Sequence, residues 1–113
     1  MYDITESLIT ARDLLVNHGW TQGAMARNQY GDAVSPSSQI ATCYCAEGAI
    51  RVSSKTSDEE ETMLRYFRAA IGTSQVFAWN DYVAKNKEDV VKAFDKSIVL
   101  SIIKNHSEDD DFL

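Results

Sequence analysis

A chain of 113 residues with 44 % hydrophobic and 25 % charged residues has the composition of one globular domain, which excludes wholesale disorder. The formal net charge is −6 and the lysines and arginines are scattered, which argues against direct binding to nucleic acid. No apolar run approaches the length of a membrane span, and the N-terminus lacks the pattern of a secretory signal, so we expect a cytoplasmic protein without membrane contact.

The first predicted helix spans about Ile4 to Asn17. Asp3 and Glu6 form a capping-box pattern at its start, and apolar residues then recur every three or four positions. The segment His18-Gly19-Trp20 ends the helix, because glycine adopts the left-handed conformation at little cost and the following apolar residue folds back on the last turn.

The next segment, Met25–Val34, has two short arms around a polar centre that contains glycine, the pattern of a small hairpin or an ordered loop. The second helix is predicted over Gln39 to Val52, and most of its residues are small. Glycine within a helix lowers stability by ~1 kcal/mol relative to alanine, so Gly48 indicates a close approach by another element. We therefore expect this helix to be central.

The two cysteines, Cys43 and Cys45, are too close in the chain for an unstrained mutual disulfide, and we interpret both as small buried hydrophobic residues. A metal site would need more ligands than His18 and His106 add, so we expect no metal and no cofactor. A cysteine nucleophile would require Cys45, His18 and Asp81 to converge, but a thiol in a buried helix is inert. The sequence therefore favours a protein that is not an enzyme.

The third helix is predicted to start after the segment Thr56–Glu60, which combines a hydroxyl cap with a glutamate three residues later, and to end at Gly72. The fourth begins with Asn86 as its cap and ends near Lys104. One face of the fourth helix carries apolar residues at helical spacing, namely Val90, Val91, Phe94, Ile98 and Ile102. Further apolar residues surround its last turns, namely Val99, Leu100 and Ile103. These turns are either deeply buried or form a contact patch for a second copy of the chain.

The predicted fold is mainly α, with about four helices packed around the small-residue second helix and a small hairpin or ordered loop between helices one and two. Residues 1–104 form a single globular domain, and residues 105–113 form an acidic tail that we expect to be disordered. Acidic side chains also begin the third helix. These residues indicate either a favourable helix start and a solubilising tail, or an acidic surface for a basic partner. The candidates for such a surface are Asp58, Glu59, Glu61, Glu108, Asp109, Asp110 and Asp111.

Each tryptophan is accompanied by polar, turn-forming neighbours just outside a helix. In the simpler interpretation both indoles fill the core and the polar side chains bond to exposed backbone groups. In the alternative, the two junctions converge into a pocket that binds a small polar ligand or a peptide. The candidate pocket residues are Trp20, Gln22, Trp79, Asn80 and Asp81.

Three ordered motifs, Gly19-Trp20-x-Gln22-Gly23, Cys45-Ala46-x-Gly48-Ala49-Ile50 and Trp79-Asn80-Asp81, resemble a family of small proteins of unknown function. The family occurs in bacteria, notably actinobacteria, and in their phages. The resemblance covers roughly Leu8 to Ile98. This sequence departs from the family pattern at Tyr44, where a tryptophan is typical, and in its longer acidic tail. It implies no particular activity, and it leads us to expect an origin in a phage or mobile element.

Small size, acidity and the lack of a catalytic constellation predict a non-enzymatic accessory module that binds a protein. The resemblance extends this prediction to a phage-encoded protein that acts on a host protein, for example by inhibiting a defence nuclease through the acidic surface. Two alternatives stay open. One is the binding of a small polar ligand at the Trp20 and Trp79 junctions, and the other is a homo-oligomeric structural module assembled through helix four.

Overall fold

Apolar residues at helical spacing form the helices of the computed structural model, which describes residues 4–106. Within that range the helices are α1 (Thr5–Asn17), α2 (Ala46–Ser53), α3 (Ser57–Ile71), α4 (Val76–Ala78) and α5 (Lys87–His106). A π-helical turn, Trp79–Val83, continues directly from α4. The strands are β1 (Ala26–Arg27), β2 (Ala33–Val34) and β3 (Cys43–Tyr44). None of the helices between residues 4 and 106 is long and apolar enough to cross a membrane.

The predicted end of the first helix is confirmed. Helix α1 ends at Asn17, the N–H of His18 still bonds within the last turn, and Gly19 has a φ of +152°, a conformation that favours glycine. At the other end, Ile4 occupies the N-cap position without a side-chain hydrogen bond. The predicted capping residue Asp3 lies outside the described residues.

The caps of the two longest helices are also confirmed. Thr56 Oγ1 accepts a hydrogen bond from the N–H of Glu59 at 3.0 Å, and Asn86 Oδ1 accepts one from the N–H of Asp89 at 3.0 Å. Each cap satisfies one of the N–H groups that a helix leaves without an internal partner. Gly72 ends α3 with a φ of +77°. Local sequence therefore sets where these helices begin and where α3 ends.

Helices α1 and α5 pack against each other in antiparallel directions. Thr5 Oγ1 lies 2.6 Å from Ser101 Oγ, and Arg12 Nη1 donates to Asp95 Oδ1 at 3.0 Å. Since Ser101 lies opposite the first residue of α1, the last turn of α5 extends beyond its neighbour. Ile102, the last residue of the predicted apolar face, is therefore 43 % exposed.

The end of α5 is not deeply buried. Val99 is 53 % exposed and Ile103 is 47 % exposed, which favours the contact-patch interpretation over deep burial for these side chains. A second copy of the chain as the partner stays a prediction. Helix α5 continues through His106, and the rest of the predicted tail lies outside the described residues.

The core lies between α1, α3 and α5, and the short helix α2 is part of it. Four of the residues of α2 are buried, and α2 contacts α1, α3 and α4. The Phe67 ring of α3 lies 4.7 Å from the Phe94 ring of α5, so aromatic contact joins these two helices. The largest fully buried side chains include Leu8, Leu15, Ile50, Met63, Phe67, Val90 and Phe94.

The hairpin before α2 is confirmed, but the predicted start of the second helix is wrong. Strands β1 and β2 pair in antiparallel directions, and the predicted helical segment 39–45 contains β3, which pairs with the other edge of β1. The helix begins only at Ala46, with Cys45 as its N-cap. Small residues carry little periodic signal, and the pairing of Cys43 with Arg27 is a tertiary contact that local sequence does not encode.

The close approach predicted at Gly48 is confirmed, although its partner is not a helix. A Cβ atom at this position would overlap the backbone carbonyl oxygen of Met25. The same carbonyl accepts a hydrogen bond from the N–H of Cys45 at 3.0 Å. The chain that enters β1 therefore lies directly on the first turn of α2.

Candidate functional site

The three motifs meet at the side chain of Asn80, which is 0 % exposed. Its Oδ1 accepts hydrogen bonds from Trp20 Nε1 at 2.8 Å and from the N–H of Ala46 at 3.0 Å. Its Nδ2 donates to the carbonyl of Thr21 at 3.1 Å and to Asp81 Oδ1 at 3.0 Å. Both donors of the amide and both lone pairs of its oxygen are thus used. The reverse orientation would place the NH₂ group against two other donors.

Gln22 caps the π-helical turn from outside. Its Nε2 carries two hydrogens and lies within hydrogen-bond distance of the carbonyl oxygens of Asn80, Asp81 and Ala84, at 3.0, 3.1 and 3.2 Å, so one hydrogen is shared between two acceptors. The last carbonyl groups of a helix have no N–H partner within the helix. The Gln22 amide supplies the hydrogen-bond donors that the turn lacks. In return, Asp81 Oδ1 accepts from the N–H of Gly23 at 3.0 Å. We call this set the Asn80 network: Trp20, Thr21, Gln22, Gly23, Ala46, Asn80, Asp81 and Ala84.

Backbone pairing and ring packing position the two tryptophans. Trp20 forms an isolated parallel bridge with Tyr44 of β3, which aims its indole at Asn80. Trp79 lies on the apolar side of the turn, where its ring meets Phe67 edge-on at 5.8 Å. The structure therefore brings four of the five candidate pocket residues into one network and places the fifth beside it. A ligand that used these polar groups would have to displace the bonds between them.

Cys45 is buried at the base of the network and caps α2. Its Sγ accepts a hydrogen bond from the N–H of Gly48 at 3.2 Å. Burial raises the pKa of the Cys45 thiol to about 11, so the thiol stays protonated at neutral pH. The His18 ring packs edge-on against Tyr44 at 6.4 Å, and Asp81 bonds within the network. The three groups considered as nucleophile, base and orienting acid thus have separate partners.

The raised pKa of Cys45 predicts a loss of stability at high pH. The folded value of about 11 exceeds the ordinary value of 9.0, so the contribution of the thiol is complete below pH 9 and is lost as the pH rises to about 11. The variant Cys45→Ser keeps an N-capping oxygen and removes this titration. Relative to that variant, the wild-type protein should lose about 2 to 3 kcal/mol of unfolding free energy over this interval, measured by urea denaturation.

Cys43→Ser is the matched control, because Cys43 is only partly buried and its replacement leaves the Cys45 titration in place. Its pH dependence should follow that of the wild-type protein. Parallel stability curves for the wild-type protein and Cys45→Ser would contradict the assignment.

Of the acidic candidates on α3, Glu59 is not part of the exposed surface. Asp58 is exposed, but Glu59 is 5 % exposed and accepts hydrogen bonds from Ser7 Oγ at 2.9 Å and from a backbone N–H at 2.8 Å. Glu61 pairs with Arg68 Nη1 at 2.9 Å. The remaining candidates, Glu108, Asp109, Asp110 and Asp111, lie outside the described residues.

Two exposed surfaces were not predicted from the sequence. We call the first the Tyr82 surface; it consists of Phe77, Tyr82 and Val83, which are 39 %, 85 % and 59 % exposed. The second is a cleft that includes Tyr30 and Ile40, which are 79 % and 59 % exposed. The segment 76–83 holds more apolar residues than one side of a short helix can bury. This excess could have predicted from the sequence that some of them are exposed, as in the Tyr82 surface.

Comparison with known proteins gives one result. No curated protein and no solved structure matches the chain significantly. A family model, described as a family of unknown function (DUF6197), matches residues 1–99. The match includes the three motif segments and every residue of the Asn80 network, which confirms the resemblance to a family of unknown function. This chain belongs to the family DUF6197.

Proposed function

We propose that this domain is a non-enzymatic module that binds a partner protein through the Tyr82 surface. The observation that carries the proposal is the 85 % exposure of Tyr82 on a turn whose backbone is held by hydrogen bonds on both sides of it. Tyrosine is enriched at the centres of protein interfaces, where it supplies a large contact area and loses little conformational entropy. An exposed aromatic residue held by such a backbone is well suited to recognition.

The backbone around Tyr82 is fixed on both sides. Before it, Asn80 and Asp81 bond to the segment 20–23, and after it the N–H of Ala84 donates to the carbonyl of Trp79 at 2.9 Å. Gln22 bonds to the carbonyls on either side of Tyr82 and Val83. Binding would therefore require little ordering of the main chain. Turns of the π type are also common at functional sites.

Positive charge lies next to this apolar surface on an otherwise acidic protein. The net charge is −6, yet Lys85 and Lys87 lie two and four residues after Val83 and both are exposed. We therefore expect the partner to present an apolar pocket with an acidic rim. The acidic start of α3 is less suited to a basic partner, since Glu59 is buried and Glu61 is paired with Arg68.

The finer parts of the proposal rest on the resemblance stated from the motifs. We propose a phage or mobile-element origin and a host protein as the partner, a defence protein being the leading example. Binding would then occur in the cytoplasm of a bacterial host. The small size of the domain supports an accessory role.

The double substitution Tyr82→Ala with Val83→Ser should abolish recovery of the partner. With the wild-type chain as bait in a bacterial lysate, we expect one protein at stoichiometric yield, and at least about tenfold less with the variant, as for truncation of an interface hot spot. The fold should persist, because both side chains are exposed. Tyr30→Ala is the matched control, since it removes a similarly exposed tyrosine that is not part of the Tyr82 surface and should leave recovery unchanged.

A second bait separates the Tyr82 surface from the acidic surface. The substitutions Asp58→Asn and Glu61→Gln remove two exposed carboxylates, and we expect partner recovery to persist. Loss of the partner in this variant, with retention in the Tyr82 variant, would assign binding to the acidic surface and contradict the proposal. Failure to recover any stoichiometric partner over a range of salt concentrations would also count against it.

A further inference from the structure

We propose that the cleft beside the β1–β2 turn binds one ring of an uncharged saccharide. The cleft has a volume of about 280 Å³. It lies between the turn and the loop that leads into β3, and it shares no residue with the Asn80 network or the Tyr82 surface. Its lining residues are Asn28, Gln29, Tyr30, Gln39, Ile40 and Thr42.

Both walls of the cleft are fixed by hydrogen bonds. In the turn, Asn28 Oδ1 accepts from the N–H of Tyr30 at 2.9 Å and from the N–H of Asp32 at 3.0 Å. In the loop, the N–H of Thr42 donates to the carbonyl of Arg27 at 2.8 Å. A ligand would therefore meet a largely preformed site, and ordering of the walls would subtract little from its affinity.

The polar lining is uncharged and available. None of the six lining residues carries a charge, and the side-chain amides of Gln29 and Gln39 form no hydrogen bond with any other residue that the structure describes. A charged ligand would lose hydration here without gaining a counter-charge. Each amide offers both a donor and an acceptor, as a sugar hydroxyl does.

The apolar part of the cleft complements the C–H groups of a sugar ring. Tyr30 is 79 % exposed and Ile40 is 59 % exposed, so an aromatic and an aliphatic side chain stand beside the amides. A purely apolar ligand would leave those amides unpaired, whereas a pyranose has C–H groups on its faces and hydroxyls at its edge. The volume lies near the lower end of the range for ligand sites, roughly 300 to 1,000 Å³, which suits a single ring bound weakly.

An NMR titration of the isotope-labelled full chain tests this inference. Glucose, galactose, mannose and N-acetylglucosamine are added separately up to high millimolar concentration, with glucuronic acid as the charged comparison. At least one neutral sugar should shift the backbone amide signals of residues 28–32 and 39–42 in a saturable way. Tyr30→Ala and Gln39→Ala should each weaken that binding by at least about tenfold, and glucuronic acid should bind more weakly than the neutral sugar.

The control Tyr82→Ala should bind the sugar like the wild-type protein, because the cleft and the Tyr82 surface are separate. The amide spectrum of each variant shows directly whether the fold is kept, and both test residues are exposed. The absence of a saturable shift with every neutral sugar would overturn the inference. Equal affinity in Tyr30→Ala and Gln39→Ala, or a preference for glucuronic acid, would overturn it as well.

Discussion

Replacing Asn80 with alanine should lower the free energy of unfolding by about 3 to 5 kcal/mol. The substitution removes four hydrogen bonds at a side chain that is 0 % exposed. It also leaves the indole N–H of Trp20 and the backbone N–H of Ala46 without their acceptor, and such unpaired buried groups cost more than the bonds themselves contribute. Urea denaturation followed by circular dichroism measures the change.

Two further variants calibrate this prediction. Asn17→Ala removes an exposed asparagine at the end of α1 and should change stability by no more than about 0.5 kcal/mol. Trp20→Phe removes one donor of the network and should cost about 1 to 2 kcal/mol, which keeps the test informative if Asn80→Ala does not fold. A loss below about 1 kcal/mol for Asn80→Ala would show that the network contributes little to stability.

Gly48→Ala should destabilise the domain by about 2 to 4 kcal/mol, although alanine is the better helix former. Its added methyl group would overlap the carbonyl oxygen of Met25, which belongs to the backbone and cannot rotate away. A shift of this carbonyl would weaken its hydrogen bond from the N–H of Cys45. These costs exceed the gain of ~1 kcal/mol in helix propensity. Thermal and urea denaturation both report the outcome.

Gly31→Ala separates the effect of space from that of backbone conformation. Gly31 has a φ of +86°, and apart from its chain neighbours no atom of residues 4–106 lies within 4 Å of the position that a Cβ would occupy, so only conformational strain of roughly 1 kcal/mol is expected there. Gly48 is helical and is limited by space alone. A stabilisation of Gly48→Ala by ~1 kcal/mol, the value that helix propensity alone gives, would contradict the close approach of Met25.

The parts of this fold that depend on neighbouring residues are predictable from sequence. Thr56 and Asn86 cap their helices through bonds to residues three positions later, and Gly72 ends α3 by its own conformational freedom. Strand β3 was not predicted, because its residues are extended only through their pairing with β1. The burial of Glu59 was predictable from the apolar spacing of α3. Glu59 lies one helical turn before the buried Met63 and therefore faces the core.

The candidate site was only partly predictable for the same reason. The polar neighbours of Trp20 and Trp79 indicated two chain junctions, and the structure joins these junctions at Asn80. Their hydrogen bonds link residues 58 to 62 positions apart, so which group bonds to which is decided by the packing of the helices. The exposure of Tyr82 follows from that packing, since the turn is fixed with Asn80 inward.

The three motifs close into one hydrogen-bonded unit around the buried side chain of Asn80. Hydrogen–deuterium exchange by NMR tests it most directly, through the indole N–H of Trp20 and the backbone N–H of Ala46, which both donate to Asn80 Oδ1. We expect both protons to exchange only through global unfolding, with protection that corresponds to the unfolding free energy measured by urea denaturation. Exchange of either proton at the rate of an exposed group would contradict the claim.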